Sequence, residues 1–524
     1  MSQFTVPWVL KRGVHYGFPV SLIVRLSKVV YEVARPLLSR FPGAVMLSAV
    51  AAMCLIVWGH AVLFRYVDSQ ILERAAAAGV QAEPLSYTAP LTWGLPPSTI
   101  RVLIDADAGV ASSFSGVLQY ALWPLQFGLL RDVLALIAIV TFFNLFPAYA
   151  IWWERKVAGR IQSRLGPMRV GGWHGWAQSP ADGIKLVLKE DLIPQVADAP
   201  LFRLAPYLVI MPVVAAFLAL PFGAAYVFRD LDIALLFILA MLGVEVIGVI
   251  VAGWASNNKW SVYGAMREAC QMVSYEIPMG MALLVPIVCA GSLNLRVIGE
   301  AQSDGWFSWL AFNNPFCFAA FVAYFMASLA SCKRAPFDLP ESESELVAGF
   351  LTEYSGFRWA LFFFAEYAAM FVVAGLAVIL FLGAWNSPLP ASWGSSWGDG
   401  LAAQGLRGVL LGGPVWFITK AVFIVYVQMW LRWTLPRIRI DQVLYACVQV
   451  LLPLTMLFLL GTVLWVWAST SGNATWSVID GVTRWVLGLI GAVFALGFPA
   501  IAVYGFYQRR RLVGNLAVDA MPGS

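Results

Sequence analysis

Ten stretches of about twenty residues, nearly free of charge, divide this 524-residue chain and decide which solvent it folds in. A helix needs roughly 20 mostly apolar residues to cross the hydrocarbon core of a bilayer, because no water is there to satisfy its backbone. The stretches fall at about 43–64, 132–153, 206–227, 232–253, 270–291, 313–332, 358–384, 408–430, 446–468 and 485–507. Only 12% of the residues are Asp, Glu, Lys or Arg and 60% are apolar, whereas a soluble domain carries about a quarter charged residues. The expected fold class is therefore all-α, a polytopic membrane helix bundle. The first stretch is too long and too far from Met1 for the apolar region of a signal peptide.

The placement of basic residues sets the orientation. With the N-terminus in the cytoplasm, about 24 of the 34 Lys and Arg residues fall on the inner side and the alternation holds for all ten spans. Both termini are then cytoplasmic. The net charge of +5 is no signature of nucleic-acid binding in such a chain. Cys54, Cys270, Cys289, Cys317, Cys332 and Cys447 are scattered, and His15, His60 and His174 lie far apart. Metal and iron–sulfur sites draw on closely spaced ligands, so no metal or redox centre is expected on this chain.

Charge gathers in the cytoplasmic loops at 154–205, 254–269 and 333–357. In Glu154–Pro167 (ERKVAGRIQSRLGP), Val157, Ile161 and Leu165 recur every four residues among polar neighbours, the pattern of a helix lying in the membrane interface. It reads either as a basic collar on lipid headgroups or as one wall of an opening for an amphipathic, lipid-soluble substrate. In Gly175–Glu190 (GWAQSPADGIKLVLKE), Asp182 and Lys185 stand three apart and can pair on a helix. Lys333–Leu346 (KRAPFDLPESESEL) puts Asp338, Glu341, Glu343 and Glu345 within eight residues of a backbone interrupted by Pro336 and Pro340. Carboxylates so crowded near a low-dielectric boundary raise one another's pKa, and the cations at Lys333 and Arg334 oppose that. Inside the spans lie Glu245, Glu276, Glu366 and Lys420. An ionised group at mid-membrane costs about 2.5–3.5 kcal/mol on insertion scales, and proton relays are a leading reason to keep one.

Several of these segments together resemble one family. Gln178, Asp182, Gly183, Lys185, Lys189 and Glu190 are similar to the first signature of the H subunit of complex I and its mitochondrial counterpart. Pro336–Leu346 resembles the second, Pro-Phe-Asp followed by three spaced glutamates. Gly253–Trp260 (GWASNNKW), Glu154–Pro167 and Arg432–Gln442 (RWTLPRIRIDQ) resemble further family segments in the same order, so the resemblance covers roughly 130–465. It implies a core of eight transmembrane helices. It implies a membrane component of a proton-pumping NADH:quinone oxidoreductase, with a quinone channel to which Arg155, Arg160, Arg164 and Arg169 are carried over. A coupling loop follows with Arg334, Asp338, Glu341, Glu343 and Glu345, and a proton path with Glu245, Glu276, Glu353 and Glu366. Flavin and iron–sulfur clusters are implied in partner subunits, quinone as the substrate, and the bacterial inner membrane as the location.

The sequence departs from the pattern in two ways. Ser342 stands where the second signature most often has Gly, a small residue for a small one. The chain also extends beyond the core, giving an expected division into 1–130 with one extra span, a core at 131–468, and 469–524 with another. Two competing functions stay open: the homologous membrane component of a membrane-bound hydrogenase-type complex, and a secondary transporter. A transporter predicts an internal repeat with paired broken spans, and the sequence has none that we can detect.

Overall fold

The computed structural model describes residues 128–493, apart from 172–174, 224–226, 229, 304, 389–412, 471–475, 477 and 492. The expected N-terminal extension and its span at 43–64 lie outside the described residues, save the last few positions before the core. So does most of the outer segment 385–406.

The long elements are α1 (Gly128–Ile161), α2 (Gln178–Leu188), α3 (Ala199–Ala219), α4 (Ala234–Ala255), α5 (Lys259–Ala290), α6 (Pro315–Ser331), α7 (Gly356–Phe381), α8 (Pro414–Thr434) and α9 (Ile440–Thr470). α9 widens into a π segment at Tyr445–Leu451. Residues 478–491 are also helical, which covers the start of the last expected span. Among the described residues, six helices, α3, α4, α5, α7, α8 and α9, are long and apolar enough to cross a membrane. α6, at 17 residues and about 25 Å, is apolar but shorter. The chain is an all-α, polytopic membrane protein, and each of the eight central stretches read from the sequence falls on a helix.

The helix ends differ from the hydropathy reading, for local reasons. α3 begins at Ala199, with Pro200 in its first turn, and stops at Ala219 before Pro221, so the stretch read as 206–227 is shifted toward the N-terminus. α5 starts eleven residues before the apolar stretch, where the Asn258 side chain accepts from the Trp260 amide. It ends on Gly291, whose φ of 67° closes the last turn. Hydropathy registers apolar surface, whereas helix ends follow proline and capping chemistry.

α7 is the axis of the bundle, with every residue from Ala365 to Phe381 buried. Around its Phe371 ring gather Phe146 and Phe142 of α1 at 4.7 and 5.0 Å, and Phe217 of α3 at 5.9 Å. α3 and α4 approach closely at Gly248, where a Cβ would come within 2.6 Å of Val209 Cγ2. Small residues permit such backbone contact between membrane helices. At the C-terminal end of α7, Lys420 of α8 donates to the carbonyls of Leu382 (2.7 Å), Ala384 (3.1 Å) and Asn386 (2.7 Å). Its ammonium also lies 4.0 Å from the Trp309 ring centroid. The intramembrane lysine thus gathers the backbone carbonyls of the turn that follows α7.

Candidate functional site

The residues that end α6 turn inward. Lys333 and Arg334 follow the last turn of this helix and are 5% and 1% exposed. Buried cations need partners, and each finds carboxylates on other helices. Arg334 Nη1 donates to Glu154 Oε2 of α1 at 3.0 Å, and its Nε lies 2.8 Å from Glu366 Oε1 of α7. The Tyr367 hydroxyl donates to Glu154 Oε2 at 2.6 Å, and its ring stacks under the Arg334 guanidinium at 4.3 Å. Arg432, near the end of α8, also donates to Glu154. Lys333 Nζ donates to Glu245 Oε1 of α4 at 2.9 Å and lies 3.7 Å from Glu268 Oε1 of α5. Glu268 is fully buried, and neither of its carboxylate oxygens accepts a hydrogen bond.

The cluster therefore joins four carboxylates, Glu154, Glu245, Glu268 and Glu366, to three cations, Lys333, Arg334 and Arg432. With every group ionised it carries one uncompensated negative charge in a low-dielectric interior, and one bound proton would neutralise it.

The acidic loop lies directly beneath. Its backbone packs against itself at Gly349, which has φ of 53° and where a Cβ would overlap the Pro340 carbonyl oxygen. Asp338 Oδ2 accepts from Arg437 at 3.2 Å, while Oδ1 has no partner. Burial pushes the Asp338 carboxyl up, against the opposing pull of Arg437 and Arg432. Glu341 is raised to about 8, by burial first and then by the negative charges of Glu366 and Asp338, despite Arg432 and Arg334. Glu343 opens the short helical turn Glu343–Leu346. Glu345 pairs with Arg267 of α5 at 2.6 Å near the surface. Glu353 accepts from Asn258, the cap of α5, at 2.5 Å. Glu276 lies further along α5, half-buried, with Oε1 facing Gly243 of α4, and has no ion pair with the cluster among the described residues.

A cavity of about 250 Å³ opens beside this network, between α1, α2, α7 and the end of α8. Ile151, Leu186, Trp359, Phe363, Phe364 and Trp433 give it apolar and aromatic walls, and Glu154, Arg155, Asp182 and Arg432 its charged ones. α2 is held in place at its C-terminal end, where Asp191 pairs with Arg358 at 2.8 Å and Ser355 accepts from the Leu192 amide. Asp182 is the polar hub of the wall. It accepts from Arg155 at 2.5 Å and Gln178 at 3.2 Å, with Lys185 at 3.4 Å. Burial tends to raise its carboxyl, but the Gln178 and Arg155 hydrogen bonds and the two cations hold it below the usual carboxylate range.

Of the four arginines expected at a channel, Arg155 lines this cavity. Arg160, Arg164 and Arg169 are exposed and do not. The interface helix read at Glu154–Pro167 is corrected. Residues 154–161 continue α1, the chain turns at Gln162, and Leu165 falls beyond the helix. In the same loop α2 does carry an uncovered apolar face: its Ile184, Val187 and Leu188 are exposed while Ser179, Asp182 and Leu186 face the cavity. Sequence reasoning did not single out Glu154, Glu268, Tyr367 or Arg432 as functional. The signal for Glu154 and Arg432 was a charge at the very end of a span, which an anchoring residue shares. Among the described residues no group of His, Cys, Asp and Glu is arranged to hold a metal ion.

Residues 134–463 match the family model for NADH dehydrogenase. The chain is 45% identical to the NADH-quinone oxidoreductase H subunit of Chlorobaculum tepidum over 320 residues, 61% of this chain and 87% of that one. It is 43% identical to the H subunit of Anaeromyxobacter dehalogenans over 379 residues, 72% and 90% of the two chains. With the H subunit of Geobacillus thermodenitrificans the identity is 47% over 311 residues, 59% and 87%.

Proposed function

Since the chain belongs to the family of NADH-quinone oxidoreductase H subunits, we propose that its cavity admits the quinone and that its buried charge cluster couples quinone reduction to proton translocation. One observation carries this reading: Glu154 and Arg432 belong to both the cavity wall and the buried cluster. A change of charge on a quinone headgroup in the cavity would act on Glu154 without an intermediary. Arg334 then links Glu154 to Glu366, and its neighbour Lys333 links Glu245 to Glu268. At an effective dielectric near 20, two charges about 4 Å apart interact by roughly 4 kcal/mol, enough to move a proton between neighbouring carboxyls.

In this reading Arg155, Asp182 and Arg432 orient the headgroup, while Trp359, Phe363 and Phe364 hold the apolar tail. Asp338, Glu341, Glu343 and Glu345 of the loop relay the charge change, with Arg334 as the link to the spanning helices. Glu245, Glu276, Glu353 and Glu366 continue the path. The chain works among other subunits of the complex, which supply flavin and iron–sulfur clusters. It sits in a bacterial inner membrane with both termini in the cytoplasm, and the segments 1–130 and 469–524 are additions around the core.

The test is a comparison of wild type and Glu154→Gln in inverted membrane vesicles, with NADH:quinone turnover and proton uptake measured together. The proposal expects fewer protons moved per NADH oxidised in an assembled complex. An unchanged ratio at unchanged quinone KM would refute it. Activity with a donor other than NADH in the purified assembly would favour the hydrogenase-type relative.

A further inference from the structure

Two thiols meet at the end of the bundle opposite Lys333 and Arg334. Cys289 lies in the last turn of α5 and Cys317 in the first turn of α6, and their Sγ atoms are 3.5 Å apart. Cys317 is fully buried, whereas Cys289 is partly accessible. Asn314 organises the pair. Its Oδ1 accepts from the Phe316 amide at 3.0 Å and its carbonyl from the Cys317 amide at 3.1 Å, which fixes the start of α6. Its Nδ2 points at Cys289 Sγ from 3.6 Å. Among the described residues, neither sulfur touches the charge cluster or the cavity.

We propose that Cys289 and Cys317 form a dithiol–disulfide pair that fastens α5 to α6 on the outer side of the membrane. The side rests on the orientation proposed above, while the pairing rests on the geometry alone. Bonding requires the sulfurs to close from 3.5 Å to about 2.05 Å, and both residues sit in the terminal turns of their helices. The outer compartment of bacteria favours disulfides, and the oxidant is a disulfide, either a small molecule or a thiol-exchange protein. The accessible Cys289 thiolate attacks it, forming a mixed disulfide and releasing one thiolate. The Cys317 thiolate then displaces the second, closing the Cys289–Cys317 bond. Two cysteine thiols are oxidised and one disulfide is reduced, with the two cysteine protons carried off on the released thiols.

The bond would lock together the helix that bears Glu268 and Glu276 and the helix whose far end delivers Lys333 and Arg334. It thereby gives the outer compartment a covalent hold on the relative position of the two.

The experiment uses native membranes as right-side-out and inverted vesicles treated with oxidised glutathione, which does not cross the bilayer. After free thiols are blocked in denaturant, the chain is digested without reductant and its linked peptides are mapped by mass spectrometry. A linked Cys289–Cys317 peptide that forms in right-side-out vesicles and disappears on reduction is expected. Cys289→Ser and Cys317→Ser should each abolish it. Absence of that peptide in the wild type at every glutathione ratio, or its formation only in inverted vesicles, overturns the proposal. Both readouts come from the wild-type complex and are independent of NADH and quinone, so they stand whatever becomes of the quinone assignment.

Discussion

The Tyr367 hydroxyl reaches across from α7 to donate to Glu154 Oε2 of α1 at 2.6 Å, and the bond sits where the cavity wall becomes the buried charge cluster. Tyr367 faces both: its ring supports Arg334 and its side chain lines the cavity. Replacement by Phe keeps the ring and removes one hydrogen bond to a charged acceptor, an interaction worth about 1.5–3 kcal/mol. Tyr367→Phe is expected to assemble normally and to lower NADH:quinone turnover, by at most the ~10–100-fold that such a loss allows. Steady-state kinetics on vesicles with matched protein content checks this.

The surplus carboxylate at Lys333 leads to a rescue experiment. Lys333→Met leaves Glu245 and Glu268 facing each other without a counter-charge, at a cost of about 3–5 kcal/mol for a broken buried pair. The single variant is expected to accumulate poorly in the assembled complex. Lys333→Met with Glu268→Gln should recover a large part of the assembly, because one of the orphaned charges is gone. Native gels read the outcome, and a double variant no better than the single one would count against the cluster as described.

Glu341 is expected to shape the alkaline side of the pH profile. Its carboxyl is raised to about 8 by burial and by Glu366 and Asp338, so it holds a proton at neutral pH. A carboxyl raised above its unfolded value stabilises the folded loop fully below the ordinary carboxylate range. That contribution falls as pH rises from there toward 8. Wild-type turnover is expected to show an inflection near pH 8 that Glu341→Gln lacks. Identical profiles between about pH 6.5 and 9, the range that brackets this titration, would remove Glu341 from the mechanism.

The four arginines of the first cytoplasmic loop are expected to separate. Arg155→Met and Asp182→Asn disturb the cavity wall and should raise the quinone KM by roughly 3–10-fold, the scale of one partly exposed charged contact. Arg160→Ala, Arg164→Ala and Arg169→Ala should leave it unchanged, because these side chains point to solvent. Titration with a short-chain quinone distinguishes the two groups.

Lys420 supplies a structural control. Lys420→Met strips the three carbonyls of the turn after α7 of this donor, each left at a cost of about 1–3 kcal/mol where no water replaces it. The complex is expected to dissociate at lower temperature while the protons moved per NADH stay constant. A thermal series on detergent-solubilised material, with the pumping ratio measured alongside, checks both halves.

The bundle was legible in the sequence because hydropathy is additive along a helix: each of the eight central stretches falls on a helix, and six of those helices are long and apolar enough to span. Their ends were not, since Pro200, Pro221, Asn258 and Gly291 act through backbone chemistry that apolar surface does not register. Glu245 and Glu366 stood out as charges in mid-span, and the structure places both in the cluster. Glu154, Glu268 and Arg432 sit at helix ends, where a charge is ordinary, and only tertiary packing separates a buried end from a solvated one. The misplaced interface helix has the same origin. The four-residue periodicity of Val157, Ile161 and Leu165 belongs partly to α1 and partly to the turn beyond it, whereas α2, with its shorter pattern, lay hidden in a charged run.

The burial of α7 from Ala365 to Phe381 has a mechanical meaning. A rod gripped on all sides by tightly packed neighbours cannot slide or roll without dismantling the core, since interiors at crystalline density resist deformation. α7 is therefore the fixed frame of the described bundle, and any motion of its neighbours must take place around it rather than along it.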